Sequence, residues 1–399
     1  MADRFATDTD IVVLVAETVS GTFVQGTGSD TMNISDVETA VEVTVAEHKY
    51  VNGSHAQSKG TPGARPATFK CKSPLVFSGS YATAPTNALL LKKTGHKEVE
   101  YKRSILVAGA ASGQKVVPVS TLGTPYVAGQ VVTLKEGANT ENCTIDIVGT
   151  NTVTMLANLT NTYTGSGYVH SGIGYQPLAE TDDSTMSVSA YELKAGVAAP
   201  TAKKMDVAGL CGNLEIMTDG VGMEFSISVD MQGKFVDITG VLNAAVPVPT
   251  ICGNQTVETL LGTTLTLGGT DQYISKFALN SGNTVERVTN QSDASGYDYA
   301  RIASRKPTVS FDPIANNVSE DSDVDEIINA DTNEIILTSA HFQIRVPVAQ
   351  TTSMTRANRE GYHSYEKTFT CLENCANGAL VDTAVTKECV YEIIMGKRS

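Results

Sequence analysis

The chain contains no tryptophan, and Phe and Tyr together bring the aromatic share only to 6 % of 399 residues. A glycosidase needs two facing carboxylates in an aromatic cleft, and little here could line one. Charge is scarce as well, at 18 % against about 25 % in an ordinary soluble domain. Ser, Thr, Gly and Asn fill the polar positions instead, which suits surfaces that lie against other subunits. The charge that is present is acidic: a formal net −14 and a pI near 4.9 exclude attractive, counterion-releasing binding to nucleic acid.

No apolar run approaches the roughly 18 residues of a membrane helix, and the start, Met1-Ala-Asp-Arg-Phe-Ala-Thr, lacks the basic and apolar regions of a signal peptide. The expectation is a soluble, non-membrane chain made in a cytoplasm, with reduced thiols. Seven cysteines (Cys71, Cys143, Cys211, Cys252, Cys371, Cys375 and Cys389) include no Cys-x-x-Cys pair, and no histidine stands at ligand spacing beside Cys371 and Cys375. Six histidines, at 48, 55, 96, 170, 341 and 363, are equally dispersed. Neither Gly-x-Gly-x-x-Gly, nor a P-loop, nor Gly-x-Ser-x-Gly occurs. The acidic run Ser319-Glu-Asp-Ser-Asp-Val-Asp-Glu lacks the central glycine of a calcium loop and reads as a solvated helix start. No catalytic, cofactor-binding or metal-ligating residue is therefore assigned, and no enzyme is expected.

What the chain does have is Val, Thr and 34 glycines, with short apolar runs cut every eight to twelve residues by Gly, Asn, Asp and Ser. That punctuation predicts a mainly β protein. Strands are expected at 9–16, 41–46, 66–80, 184–191, 213–217 and 223–231. A short helix over 86–95 would have Thr86 as cap and Gly95 as stop. Residues 48–64 and 281–306 are too polar for a core and read as arms, and a second helix is expected near 322–330. Strands at 118–122, 130–134, 143–148 and 152–156 predict an inserted small β-barrel or sandwich over 106–174.

Each arm exits through a basic residue and a proline into a strand, Gly63-Ala-Arg-Pro-Ala-Thr-Phe and Ser304-Arg-Lys-Pro-Thr-Val-Ser-Phe. Each half then ends in a strand, a polar hairpin and an alternating strand. The order predicts two tandem β-sandwich modules, each with one short helix and a long arm. The first is discontinuous, 1–105 and 175–245, with 106–174 inserted; the second is 246–399, after the linker Val246-Pro-Val-Pro-Thr-Ile.

Gly269-Thr-Asp-Gln-Tyr-Ile-Ser-Lys-Phe-Ala-Leu, Arg301-Ile-Ala-Ser-Arg-Lys-Pro-Thr-Val-Ser-Phe-Asp-Pro and Arg356-Ala-Asn-Arg-Glu-Gly-Tyr resemble segments of bacteriophage major tail tube proteins, as does the Pro85-Thr-Asn-Ala-Leu-Leu-Leu-Lys-Lys-Thr-Gly helix. The resemblance covers most of the chain outside 106–174. It implies a virion protein, assembled in the host cytoplasm, whose rings stack into the conduit for DNA ejection. With the module duplicated it implies homotrimeric, pseudo-hexameric rings, a ring of six chains being the alternative. It also implies contact with other tail proteins such as the tape measure and the terminator, DNA passing through the lumen without sequence-specific binding, and the insert outside the tube.

Candidate lumen carboxylates are Glu215, Glu224, Asp230 and Glu366 on alternating strands, with plain solvent exposure as the competing reading. Candidate ring-to-ring contacts are His55, Lys59, Arg65, Arg287, Arg301 and Arg305 on or beside the arms. A second function stands against the first: a β-rich tail-tip protein or adhesin holding host surface carbohydrate through 106–174.

Overall fold

A computed structural model of the chain describes residues 11–46, 61–120, 126, 128–177, 184–192, 201–242, 245–249, 256–314, 327–359, 362–373 and 390–396. The protein is mainly β. The chain begins with β1 (Ile11–Ala16), β2 (Ser35–Val41), the two-residue strands β3 (Val45–Ala46) and β4 (Thr61–Pro62), β5 (Pro66–Pro74) and β6 (Val76–Phe77), and then helix α1 (Ala88–Lys93). β7 (His96–Ile105), β8 (Val116–Pro118), β9 (Val131–Glu136), β10 (Asn139–Val148), β11 (Thr152–Met155) and β12 (Tyr168–Pro177) follow. Next come β13 (Met186–Glu192) and the long hairpin β14 (Thr201–Thr218) and β15 (Ser226–Leu242). The remainder holds β16 (Thr256–Val257), β17 (Thr264–Leu267), β18 (Thr270–Gln272), β19 (Phe277–Asn280), β20 (Asn283–Thr289), β21 (Tyr297–Arg305), β22 (Thr308–Phe311) and β23 (Thr332–Thr338). A second long hairpin, β24 (Phe342–Arg359) and β25 (Tyr362–Cys371), precedes β26 (Glu392–Gly396).

Alternation drives these strands. In β5, Ala67, Phe69, Cys71 and Ser73 are buried while Thr68, Lys70 and Lys72 face outward, the period of two that a half-buried strand imposes. All ladders are antiparallel, and the two halves of the chain use one pairing order. In the first, β2 pairs β5, β5 pairs β15 and β15 pairs β14. In the second, β19 pairs β22, β22 pairs β25 and β25 pairs β24. A four-residue ladder between β14 (Glu215–Thr218) and β19 (Phe277–Asn280) joins the two units into one run of strands.

A further run lies across the core from this one. The first half of β24 pairs β23 on one side and β26 on the other; β23 continues to β17 and β18, and β26 to β12 and β7. Buried side chains of both runs and both halves meet in one cluster. Phe225 packs edge-on at 5.0 Å against Phe342 and at 6.3 Å against Phe277, so the entry to β15, β19 and β24 share one contact.

The insert closes on itself. β8 pairs β11, β11 pairs β10, β10 pairs β9, β9 pairs β12 and β12 pairs β7. The residues after β7 return to β8 through the Leu106–Val119 bridge and the Val107 N–H to Pro118 O bond. It is a small barrel with its own core, from Leu106 to Val169 and including Val117, Leu134, Ile145 and Val153. β12 is common property: Val169 belongs to the barrel, whereas Ile173 and Tyr175 belong to the main core.

Several expectations need correction. The cap of α1 is Asn87, not Thr86, and its side chain accepts no helix N–H; its amide nitrogen instead donates to Pro74 O at 2.9 Å. Gly95 does end the helix, at φ +80. The strand expected at 41–46 starts earlier, as β2 from Ser35 to Val41; beyond it Glu42 and Thr44 still donate to Pro66 O and Ala64 O, and Val45–Ala46 pairs Thr61–Pro62. The stretch 281–306 is not an extended arm but the antiparallel hairpin β20–β21. The first arm's 47–60 and most of the second helix lie outside the described residues.

Candidate assembly edges and the polar sheet face

The joined run of strands has one apolar and one polar face. Ile216, Leu279, Val309 and Phe369 stand in line across β14, β19, β22 and β25, all buried. The adjacent line on the other face runs Lys72, Ser228, Glu215, Asn280, Thr308, Thr370 and Gln350 without a break across both halves. Beside it Glu38, Lys70, Asp230 and Asn213 are cross-strand neighbours. Three of the four candidate carboxylates, Glu215, Asp230 and Glu366, thus point out of this one polar face; Glu224 precedes β15, where it bridges Thr259. Asp230 is not a bare charge: Lys70 lies 3.7 Å from it, and Lys72 lies 2.9 Å from Asp36. These lysines are the residues that sequence reasoning missed, because their acidic partners are distant in the chain.

The run ends in two open edges. β2 pairs β5 on one side and, among the described residues, no strand on the other. Residues 351–357 of β24 likewise have β25 on one side and no strand on the other. The Glu42 N–H is given to Pro66 O and the Thr44 N–H to Ala64 O; by alternation the N–H groups of Thr39 and Val41 point out of the open edge. These two edges correspond, in the shared pairing order, to the β19 and β14 edges that meet inside the chain.

A hairpin reinforces that internal meeting. β20–β21, between β19 and β22, lies on the far half of the β14–β15 hairpin. Asn283 Nδ2 donates to Thr94 O and Gly212 O, both at 2.9 Å. Arg287 Nε donates to Gly233 O at 3.3 Å, with its guanidinium 5.9 Å from the Tyr297 ring. Lys234 Nζ sits 2.7 Å from Asp293 Oδ2. Gly209 at φ +64 lets Tyr299 approach, since a Cβ there would stand 2.8 Å from Tyr299 Cα. Although burial opposes it, the Lys234 ammonium and the Ser295 donors hold the Asp293 carboxyl down at about 2.

The candidate arm residues divide accordingly. Arg287 and Arg305 are engaged within the chain, Arg305 donating to Gly95 O at 2.7 Å. Arg301 faces Glu286 across the hairpin at 3.7 Å, exposed. The Arg65 N–H donates to Ser295 O at 2.8 Å. His55 and Lys59 lie outside the described residues.

One grouping could carry chemistry by residue type. Glu258, 3 % exposed, accepts from Ser339 Oγ and pairs with His341 Nδ1, each at 2.8 Å, while His341 stacks on Phe77. The serine bonds the carboxylate rather than the imidazole, so this is not the nucleophile–base contact of a hydrolase; it ties β16, β6 and the start of β24 together. Among the described residues no group of three or more His, Cys, Asp or Glu is placed to hold a metal ion, and no helix is long and apolar enough to cross a membrane. No protein-family model matches the chain, and a search of curated proteins finds no match.

Proposed function

We propose that the chain is a structural protein that closes into rings through its two open edges and stacks as a tube, as the resemblance to phage tail tube proteins implies. The observation that carries this reading is the pairing order. The chain already contains one joint between two like units, and its free edges are the second half of the same joint. Unpaired edges are a liability in a monomer, and ring closure removes them.

The register adds a geometric argument. Thr39, Phe69, Met231 and Gly212 stand in line across the first unit, and Phe277, Phe311, Lys367 and Met354 across the second. The lines are equivalent because each hairpin carries its bulge just beyond them, before Cys211 and before Ser353. Phe277, however, pairs Thr218, six residues further along β14 than Gly212. An offset of about six residues at about 3.3 Å each, over four strands about 4.8 Å apart, means a strand tilt of about 45°. That is near the tilt of closed barrels. With four paired strands per unit and two units per chain, three copies give roughly 24 strands and a backbone radius of about 26 Å, a channel wide enough for duplex DNA. The polar face, rich in Ser, Thr and Asn, would line it, with Glu215, Asp230 and Glu366 among its carboxylates. Lys70 and Lys72, already paired with acids, offer no basic stripe to trap phosphates.

The test is Val41→Pro. It removes an N–H that points out of the edge and leaves the β5 ladder intact. Assembly is expected to be lost while the fold survives; undiminished assembly would refute edge pairing.

A further inference from the structure

Lys204 of β14 lies under the segment that leaves β1. Its side chain is 11 % exposed, and its Nζ touches two groups at once: Asp206 Oδ2 stands 2.7 Å away, and the carboxamide oxygen of Gln25, Oε1, accepts its hydrogen bond. The rings of Phe23 and Tyr191 flank the ammonium at 5.3 and 6.0 Å. Asp206, itself buried, accepts on its other oxygen from Ser189 Oγ at 2.7 Å. Gln25 Nε2 donates to the Tyr191 hydroxyl at 3.1 Å and to Gly26 O at 3.3 Å.

The segment carrying Gln25 is tied down. Glu17 accepts from the Gly21 and Gly209 N–H groups at 2.7 and 2.8 Å and from Thr185 Oγ1 and Ser187 Oγ at 2.5 and 2.7 Å. The Val24 N–H donates to Ser187 Oγ at 3.1 Å. Gly26 lies so close to β1 that a Cβ there would stand 2.3 Å from Val13 Cγ1. A buried amine, a carboxylate, and a carboxamide carbon one C=O bond beyond the contact are thus held together, and proximity of this kind replaces a bimolecular encounter.

We propose that Lys204 and Gln25 join in an intramolecular isopeptide bond, with Asp206 as the proton carrier. Asp206 takes a proton from Nζ, a transfer that turns two buried charges into a neutral pair, and the freed amine attacks Gln25 Cδ. The Nζ–Cδ bond forms and the Cδ–Nε2 bond breaks. Nζ gives up two of its three protons; the leaving nitrogen takes both, adds them to its own two hydrogens and departs as ammonium, and Asp206 ends as the carboxylate it began as. Nothing is oxidised or reduced, and no co-reactant is needed. Gln25 is itself exposed, which gives the ammonium a way to water. The product links positions 179 residues apart and anchors the chain to β14 shortly before the edge strand β2. It stands or falls independently of ring assembly.

The experiment is intact mass spectrometry of the purified full chain after incubation in its folded state at neutral pH. The unaltered chain is expected to be lighter than its sequence by one ammonia. Its tryptic digest should contain a branched peptide in which Gln25 is joined to a Lys204 that trypsin has not cut. Lys204→Arg and Gln25→Met should keep the full mass with an unchanged circular dichroism spectrum. Folded Asp206→Asn should carry at most about a tenth of the linkage after the same incubation, since it lacks the proton carrier. A folded unaltered chain that keeps its full mass overturns the proposal, as does an ammonia loss that maps to other residues. A folded Asp206→Asn chain linked as completely as the unaltered one overturns the role of Asp206. If that variant does not fold, the mass and the branched peptide of the unaltered chain decide alone.

Discussion

Replacing Asp293 by alanine tests whether the β20–β21 hairpin fastens the two halves of the chain. The ladder between β14 and β19 is only four residues long on each strand, and the hairpin adds polar contacts to a joint that otherwise rests on that ladder and on the shared core. Lys234, with a side chain 9 % exposed, has its ammonium 2.7 Å from an Asp293 side chain that is 27 % exposed. Removing the acid strands a buried cation and also takes the acceptor from Ser295 N–H and Oγ, at 2.8 and 2.6 Å. A fully buried pair broken in this way costs about 3–5 kcal/mol; partial access of water to Asp293 reduces that to about 2–3 kcal/mol. Asp293→Asn keeps an acceptor for Ser295 and should cost about 1–2 kcal/mol. Lys234→Met should cost about 1 kcal/mol, because the remaining carboxylate can hydrate. Urea unfolding reads these as shifts of the midpoint at unchanged slope, and hydrogen exchange should report early opening of β20–β21. A loss below about 0.5 kcal/mol for Asp293→Ala, or equal losses for Lys234→Met and Asp293→Ala, would refute the account of the joint.

The barrel insert should be dispensable: Ile105 and Tyr168 are directly paired, so replacing 106–167 by Asn-Gly should leave β7 and β12 as a plain hairpin, with assembly retained in microscopy. Tyr391→Phe removes the hydroxyl 2.6 Å from the Nε2 of buried His96 and should lower stability by about 1–2 kcal/mol in urea unfolding. Burial, with the Arg305 charge adding to it, lowers the His96 pKa to about 3. The unfolded chain therefore binds a proton that the fold refuses, and stability should fall as pH drops from about 6.5 toward 3. His96→Gln should flatten that part of the profile. Asp293, depressed to about 2 from 3.8, stabilises above about pH 4 and loses its contribution between there and pH 2.

Strands with one buried and one wet face were legible because they alternate: Pro66–Pro74 and the run from Met223 through Asp230 are examples. Alternation singled out Glu215, Glu224, Asp230 and Glu366, but it could not show that Glu224 would fall in the turn before β15, where it bridges Thr259. β2 escaped notice because an edge strand with Ser35, Asp36 and Glu38 buries little, and β7 because Lys97, Glu98, Glu100 and Lys102 mask a strand whose identity comes from its partner β12. The β20–β21 hairpin read as an arm since it docks by hydrogen bonds and an ion pair, through Asn283, Arg287 and Asp293, and such contacts leave no apolar period. Pairings between distant segments, β14 with β19 or β12 with β26, have no local signature at all.

The central claim is that the edges of β2 and β24 join copies as β19 and β14 join within the chain. Cryo-microscopy of the purified full chain tests it most directly. The expected result is a ring of like β units, two per chain, in which β2 of one copy lies antiparallel to the second half of β24 of the next and the strands tilt by about 45°. A compact monomer across salt, pH and concentration, or an oligomer that leaves both edges in solvent, would contradict it.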